Sequence, residues 1–214
     1  MDLLEKYKKT WSNQPEEINK LSSIEIYKIA HSKSSSIVKW IFIIGILEFL
    51  FWSGINLIVP DSFYKVYEDL NLMGFLNFFM ALHYIVIFVF LFLFYRNYKR
   101  ISIIDNTKKL INDILRIRKT VKYYVFYNIG IVFLISVIVN TFLFSDSNKL
   151  LEIMNPKNLT MDINQLITVT IISQIIALIV ILVLLWLFYK LVYGILLRKL
   201  NKNYKELSKL DDIN

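Results

Sequence analysis

The sequence predicts an all-α, polytopic membrane protein built as a four-helix transmembrane bundle. Four apolar runs cover residues 37–59, 73–95, 123–144 and 167–189. At 1.5 Å per residue, each run is long enough to cross a hydrocarbon core about 30 Å thick. The runs lack the period-2 alternation of barrel strands, and a backbone in lipid satisfies its own hydrogen bonds as a helix. A composition that is 56% hydrophobic agrees with this fold class.

The charged residues between the runs predict the orientation of the bundle. Of the 25 Lys and Arg residues, 22 lie in the segments 1–39, 96–122 and 190–214. Because Lys and Arg are enriched in cytoplasmic segments, both termini and the basic loop 96–122 are predicted to be cytoplasmic, in a bacterial inner membrane. The net charge of +8 then belongs to the inner face and does not indicate direct nucleic-acid binding.

Residues 1–36 are the predicted cytoplasmic N-terminal helices, which precede the first span. Pro15 suits the first turn of one helical piece. Ser22 and Glu25 have the spacing of a capping box, which starts the next helix. We expect one helix to run from about Ser23 into the first span, because no strong helix breaker lies between there and Pro60.

The other cytoplasmic segments carry the same signals. Asn106, within Asp105-Asn106-Thr107, can cap a helix that runs on into the third span. The transmembrane domain 37–197 is expected to continue into the C-terminal tail 198–214 on one helix, since Leu200, Tyr204 and Leu207 keep the helical period. The expected apolar face of the loop helix consists of Ile111, Ile114, Leu115, Arg118 and Val121. These extensions either continue the bundle against anionic headgroups or form a docking surface for a cytoplasmic partner.

Two ionisable side chains lie deep in the predicted membrane. Glu48 is near the middle of the first span and His83 is at a similar depth in the second, so the two could form a hydrogen bond. A charged carboxylate at this depth is costly, and it normally neutralises, finds a partner or meets water. Gly45, Trp52 and Asn56 share the helical face of Glu48. The predicted intramembrane polar cluster consists of Glu48, His83, Asn56, Asn77 and Gln174.

This polar cluster supports two interpretations. The first is structural, with interhelical hydrogen bonds that fix helix register and contribute about 0.6–2 kcal/mol each. The second is functional, with a small-ligand site or a proton- or solute-linked transport path. Either functional role would need a second carboxylate or a broken helix, yet the spans contain no Pro. A chain of this size would also need a homo-oligomer to enclose such a path.

Enzyme chemistry has little support in the sequence, which predicts no catalytic residue, metal site or cofactor. There is no Cys, which excludes disulfides and thiolate-bound metals, and there are only two His. Membrane di-iron oxygenases need several His ligands. We interpret the aromatic residues near the ends of the spans as interfacial anchors; they are Trp40, Tyr95, Tyr123, Tyr124, Trp186, Tyr189 and Tyr193.

Two stretches of the sequence, 21–42 and 203–210, resemble an uncharacterised four-span inner-membrane protein family of Bacteroidota. They read Leu21-Ser22-Ser23-Ile24-Glu25-Ile26-Tyr27-Lys28 to Ser34-Ser35-Ser36-Ile37-Val38-Lys39-Trp40-Ile41-Phe42, and Asn203-Tyr204-Lys205-Glu206-Leu207-Ser208-Lys209-Leu210. Members are often labelled beta-carotene monooxygenase. That activity needs an iron centre with several His ligands, so we reject the label for this sequence.

The architecture is also similar to that of membrane-bound anti-sigma factors. This likeness implies that the N-terminal helices bind a cytoplasmic protein, with a sigma factor as one candidate. The apolar residues expected to contact that partner are Trp11, Ile18, Leu21, Ile24 and Tyr27. From the sequence we therefore expect a non-enzymatic membrane protein that engages a cytoplasmic partner, with a small transporter or an accessory subunit of a membrane complex as the alternative.

Overall fold

The computed structural model describes residues 23–103, 106–145 and 162–211. It confirms the predicted all-α fold. The helices are α1 (Ser23–Ile58), α2 (Lys65–Asp69), α3 (Met73–Ser102), α4 (Thr107–Leu143) and α5 (Ile163–Asp211), with a short 3₁₀ turn at Asp61–Phe63. Four of these helices, α1, α3, α4 and α5, are long and apolar enough to cross a membrane.

The helix ends follow local sequence signals. Pro60, two residues after the end of α1, is extended, with φ −64° and ψ 147°. Asn71 has a φ of 55° in the turn before α3, a left-handed conformation that Asn tolerates better than most residues. The side chain of Asn106 accepts a hydrogen bond from the backbone N–H of Lys109 at 3.2 Å, so the cap expected at the start of α4 is confirmed.

The four long helices form an up-down-up-down bundle. Helix α1 packs against α3 and α5, and α4 packs against the same two helices, which puts α1 and α4 on a diagonal. The start of α1, the end of α3, the start of α4 and the end of α5 therefore meet. We name this the basic end, residues 23–39, 96–103, 106–122 and 190–211. The opposite end, which carries the α1–α3 connection 59–72, is the loop end.

The buried core lies in the half of the bundle toward the basic end. Its fully buried members come from all four long helices, so the helices continue to pack against one another beyond the apolar runs. They are Ala30, Val38, Ile41, Phe94, Ile101, Leu110, Ile114, Ile117, Val121, Tyr124, Tyr193, Leu200 and Leu207. A separate small cluster of Leu70, Leu72 and Leu143 closes part of the loop end.

The helical extensions of the spans are confirmed, with one correction. Helix α1 runs from Ser23 into the first span, and α5 continues past the fourth span to Asp211. The buried face of α4 is shifted, because Leu115 is 40% exposed whereas Leu110 and Ile117 are buried. The expected face and the observed buried face of α4 both contain Ile114 and Val121. Only the position of the neighbouring helices decides which of the two faces is buried.

Two polar contacts, one half-buried and one buried, join the helices at the basic end. Asp113 on α4 accepts a hydrogen bond from Arg100 Nε on α3 at 2.8 Å. Asn203 Nδ2 on α5 donates to Ser34 Oγ on α1 at 3.0 Å, and both residues are buried. Buried polar groups are stable only when they are paired, so these contacts help to fix the helix register here.

Candidate functional site: an internal cavity with a carboxylate at its floor

A half-open cavity of about 480 Å³ lies between the long helices, in the half of the bundle toward the loop end. Tyr64 and Tyr67 of the α1–α3 connection line its outer end. Glu48 and Tyr189 line its inner end, beside the packed core. Apolar and aromatic side chains make up most of the wall, including Phe49, Trp52, Leu76, Phe79, Met80, Tyr84, Ile131, Val132, Ile135, Ile181 and Leu185.

Glu48 is the acidic group of this site, and it is held by tyrosines. Its Oε1 accepts a hydrogen bond from the Tyr189 hydroxyl at 2.6 Å, and its Oε2 accepts one from the Tyr193 hydroxyl at 2.9 Å. The ring of Tyr124 packs edge-on against both tyrosine rings. We name Glu48, Tyr124, Tyr189 and Tyr193 the carboxylate–tyrosine cluster; all four are buried.

The structure corrects the expected hydrogen bond between Glu48 and His83. His83 Nδ1 lies 3.2 Å from the Tyr127 hydroxyl, and the two rings stack with their centroids 5.6 Å apart. Glu48 therefore faces α5, whereas His83 faces α4. Both residues line the same cavity, in agreement with their predicted similar depth. Depth, however, does not specify which neighbouring helix a side chain faces.

Of the remaining members of the predicted polar cluster, two line the cavity and one does not. Asn56 and Asn77 line the cavity with Glu48 and His83. Asn56 also donates from Nδ2 to the Trp52 carbonyl at 3.3 Å. Gln174 is half-buried on α5 and lies outside the cavity lining. Asn128, on α4, lines the cavity as well and donates to the Tyr124 carbonyl at 2.8 Å.

The tyrosines that hold Glu48 were missed as site residues, because their position near the ends of the spans suggested interfacial anchors. Tyr124, Tyr189 and Tyr193 are at most 4% exposed, whereas Trp40 and Tyr123 are more than half exposed. The spacing of residues in the sequence did indicate that Tyr189 and Tyr193 are buried. Tyr189 and Tyr193 are four residues apart, and Leu200 and Leu207 continue the same helical face by steps of seven.

The cavity ends at the carboxylate–tyrosine cluster. On the far side of the cluster, Ile41 and Phe94 are buried in the core, and the ring of Phe94 packs edge-on against Tyr124 at 5.3 Å. Helices α1 and α3 approach closely here, since a Cβ on Gly45 would lie 3.1 Å from Leu91 and 3.2 Å from Phe94. The cavity is therefore closed at this end by packed side chains.

Of the residues predicted to bind a partner, Ile24 and Tyr27 lie at the basic end. Trp11, Ile18 and Leu21 lie outside the described residues. Ile24 is 65% exposed. Tyr27 is half-buried, and its ring stacks on His31 with centroids 5.9 Å apart. His31 Nε2 in turn lies 2.7 Å from the Ile101 carbonyl, and since a carbonyl only accepts, His31 donates this bond at the end of α3.

The fold and the cavity define a multi-pass, all-α membrane protein with an internal site. The residues described contain no group of three or more His, Cys, Asp or Glu side chains that could hold a metal ion. The chain belongs to the family described as a domain of unknown function (DUF8845), which it matches over residues 24–212. No curated protein and no solved structure matches the chain.

Proposed function

We propose that this protein binds a small lipophilic molecule in the cavity between α1, α3, α4 and α5. The observation that carries the proposal is the cavity itself. Its volume of about 480 Å³ is within the range of about 300–1,000 Å³ that small-molecule sites occupy. Its wall is mostly apolar, with a few polar groups that include Glu48, His83 and Asn128, and small-molecule sites use such groups to orient a ligand.

Binding is favoured over conduction by the closed floor. A path through the bundle would have to pass the carboxylate–tyrosine cluster and then the buried residues Ile41 and Phe94. A ligand that enters the cavity would therefore come to rest against Glu48. Transport would require these helices to move apart, and it stands as the alternative role for the same cavity.

The test is binding of a neutral fluorescent lipophile, N-phenyl-1-naphthylamine, to the full chain in a non-ionic detergent. Its fluorescence rises in apolar surroundings, so saturable enhancement reports on the cavity. Ile135→Trp should weaken binding at least tenfold, because this side chain lines the cavity. Leu134→Trp is the matched control, since Leu134 is 43% exposed and lies outside the lining.

Two results would contradict the proposal. The first is non-saturable fluorescence with the unmodified protein, which would mean simple partition into the micelle. The second is equal loss of binding in Ile135→Trp and Leu134→Trp, which would mean that the probe binds elsewhere on the apolar surface.

The proposed setting is a bacterial inner membrane, with both termini in the cytoplasm. The support is the excess of Lys and Arg at the basic end. Because the chain has no Cys, single introduced cysteines report accessibility without background. Asp61→Cys should react with an impermeant maleimide in intact cells or spheroplasts, and Lys205→Cys should react only after lysis. The reverse pattern would invert the topology.

Docking of a cytoplasmic protein is the second candidate, and a sigma factor remains one candidate partner for it. Its support is Ile24, which is 65% exposed on the part of α1 that precedes the apolar run, together with Ile29, which is 39% exposed. A photo-crosslinking residue at position 24 should then capture a specific protein in cells. The control is the same residue at position 57, at the loop end; identical adducts from both positions would contradict docking.

A further inference from the structure

The cavity wall carries an acidic side chain and no Lys or Arg among the described residues. This acidic side chain is Glu48. His83 is the basic side chain present, and its Nδ1 already faces the Tyr127 hydroxyl at 3.2 Å. A ligand in this cavity therefore meets a carboxylate with no fixed cation beside it.

Glu48 also keeps hydrogen-bonding capacity. Each of its oxygens accepts one tyrosine hydroxyl, and a carboxylate offers about four acceptor positions in total. The Tyr124 hydroxyl is a third hydrogen-bond partner of Glu48, which leaves one of these positions for a donor in the cavity. At this depth in a membrane, a positively charged partner for a carboxylate is a strong stabilising element.

Aromatic side chains line the cavity from its outer end to the carboxylate. Ring faces attract cations electrostatically when the charge approaches within about 6 Å of the centroid, and they pack equally well against an apolar body. The aromatic members of the lining are Phe49, Trp52, Tyr64, Tyr67, Phe79, Tyr84, Tyr124 and Tyr189. The wall is therefore suited to an organic cation with a bulky apolar body.

We infer that the cavity selects lipophilic cations, such as hydrophobic amines or quaternary ions, with the positive charge placed next to Glu48. This inference rests on the proposed function, because it specifies the ligand of the same cavity. An anion of the same size and shape would place its charge against the carboxylate and is rejected. The specificity comes from charge, since the apolar wall does not distinguish the two ions.

The test compares two ions of the same shape, tetraphenylphosphonium and tetraphenylborate, as competitors of the neutral probe N-phenyl-1-naphthylamine. With the unmodified full chain, the cation should displace the probe at a concentration at least tenfold lower than the anion. In Glu48→Gln the two ions should displace the probe at equal concentrations, each compared with the probe affinity of that variant, because the amide carries no charge that distinguishes them.

A second variant leaves the carboxylate–tyrosine cluster intact. Asn77 is exposed and lines the cavity, so Asn77→Lys should weaken the cation, with Asn77→Gln as the uncharged control. Saturable probe binding with equal displacement by both ions, or with the anion preferred, would overturn the selectivity and leave the proposed function standing. Loss of saturable probe binding in the unmodified protein would overturn both.

Discussion

The two halves of the bundle are packed differently. Toward the basic end, side chains from all four long helices fill the interior, and Leu110, Ile114, Leu200 and Leu207 are 0% exposed. Toward the loop end, the same helices surround a cavity of about 480 Å³. One half therefore has the density expected of a stable core, and the other half is left open inside.

The difference shows where each half obtains its stability. Outside the hydrocarbon region, burial of Leu and Ile drives the basic end to pack tightly. Inside lipid, apolar side chains gain little by leaving the acyl chains, and association depends on close packing and interhelical hydrogen bonds. The half toward the loop end can therefore keep a cavity at small cost, which leaves its wall available for a ligand.

The largest expected effect concerns the packed half. Leu200→Ala should destabilise the protein by about 2–5 kcal/mol, because it opens a hole in a filled core. Ile181→Ala, on the same helix, should cost less than about 1 kcal/mol, since Ile181 lines the cavity and is 48% exposed. Unfolding by SDS in mixed micelles measures both values. Equal losses would show that the two halves are equally packed.

The next effect concerns the boundary between the halves. Glu48→Leu should cost about 1–3 kcal/mol, because it leaves the buried hydroxyls of Tyr189 and Tyr193 without their acceptor. Glu48→Gln should cost clearly less, since its Oε1 still accepts from one tyrosine hydroxyl and its NH2 can donate to the oxygen of the other. The same SDS titration separates the two variants, and a Leu variant as stable as the Gln variant would contradict the role of these hydrogen bonds.

A similar effect is expected from the α1–α3 contact just inside the packed half. Gly45→Leu should destabilise by about 1–3 kcal/mol, since even a Cβ there would lie 3.1–3.2 Å from Leu91 and Phe94. Gly54→Leu is the control on the same helix, because no described residue comes within 4 Å of a Cβ added at Gly54. Circular dichroism melts should show a loss at position 45 alone. A matching loss at position 54 would contradict the close contact as the cause, because Leu favours helix over Gly and helix propensity predicts no loss at either position.

The smallest effect is local to the basic end. Asn106→Ala removes the side chain that caps α4 through the Lys109 N–H and should cost about 1 kcal/mol. Asn112→Ala, at an exposed position on the same helix, should be neutral or slightly stabilising because Ala favours helix. Hydrogen exchange in the first turn of α4 provides the measurement, and unchanged protection in Asn106→Ala would rule out the cap.

The sequence by itself determined the helices and their order. Lipid forces every span to satisfy its own backbone hydrogen bonds, so run length and hydropathy were sufficient for α1, α3, α4 and α5. Local capping chemistry was sufficient for Asn106. The depth of Glu48 and His83 was also readable, because depth follows from residue count along a helix.

Only the tertiary structure decided what each polar side chain faces. Rotation of a helix about its axis and the choice of its neighbours depend on contacts between distant parts of the chain. Glu48 pairs with Tyr189 and Tyr193, which lie more than 140 positions away in sequence, rather than with His83. The cavity also depends on contacts between distant parts of the chain. It exists because the side chains of four helices do not fill the space between them, and no single segment of the sequence specifies that.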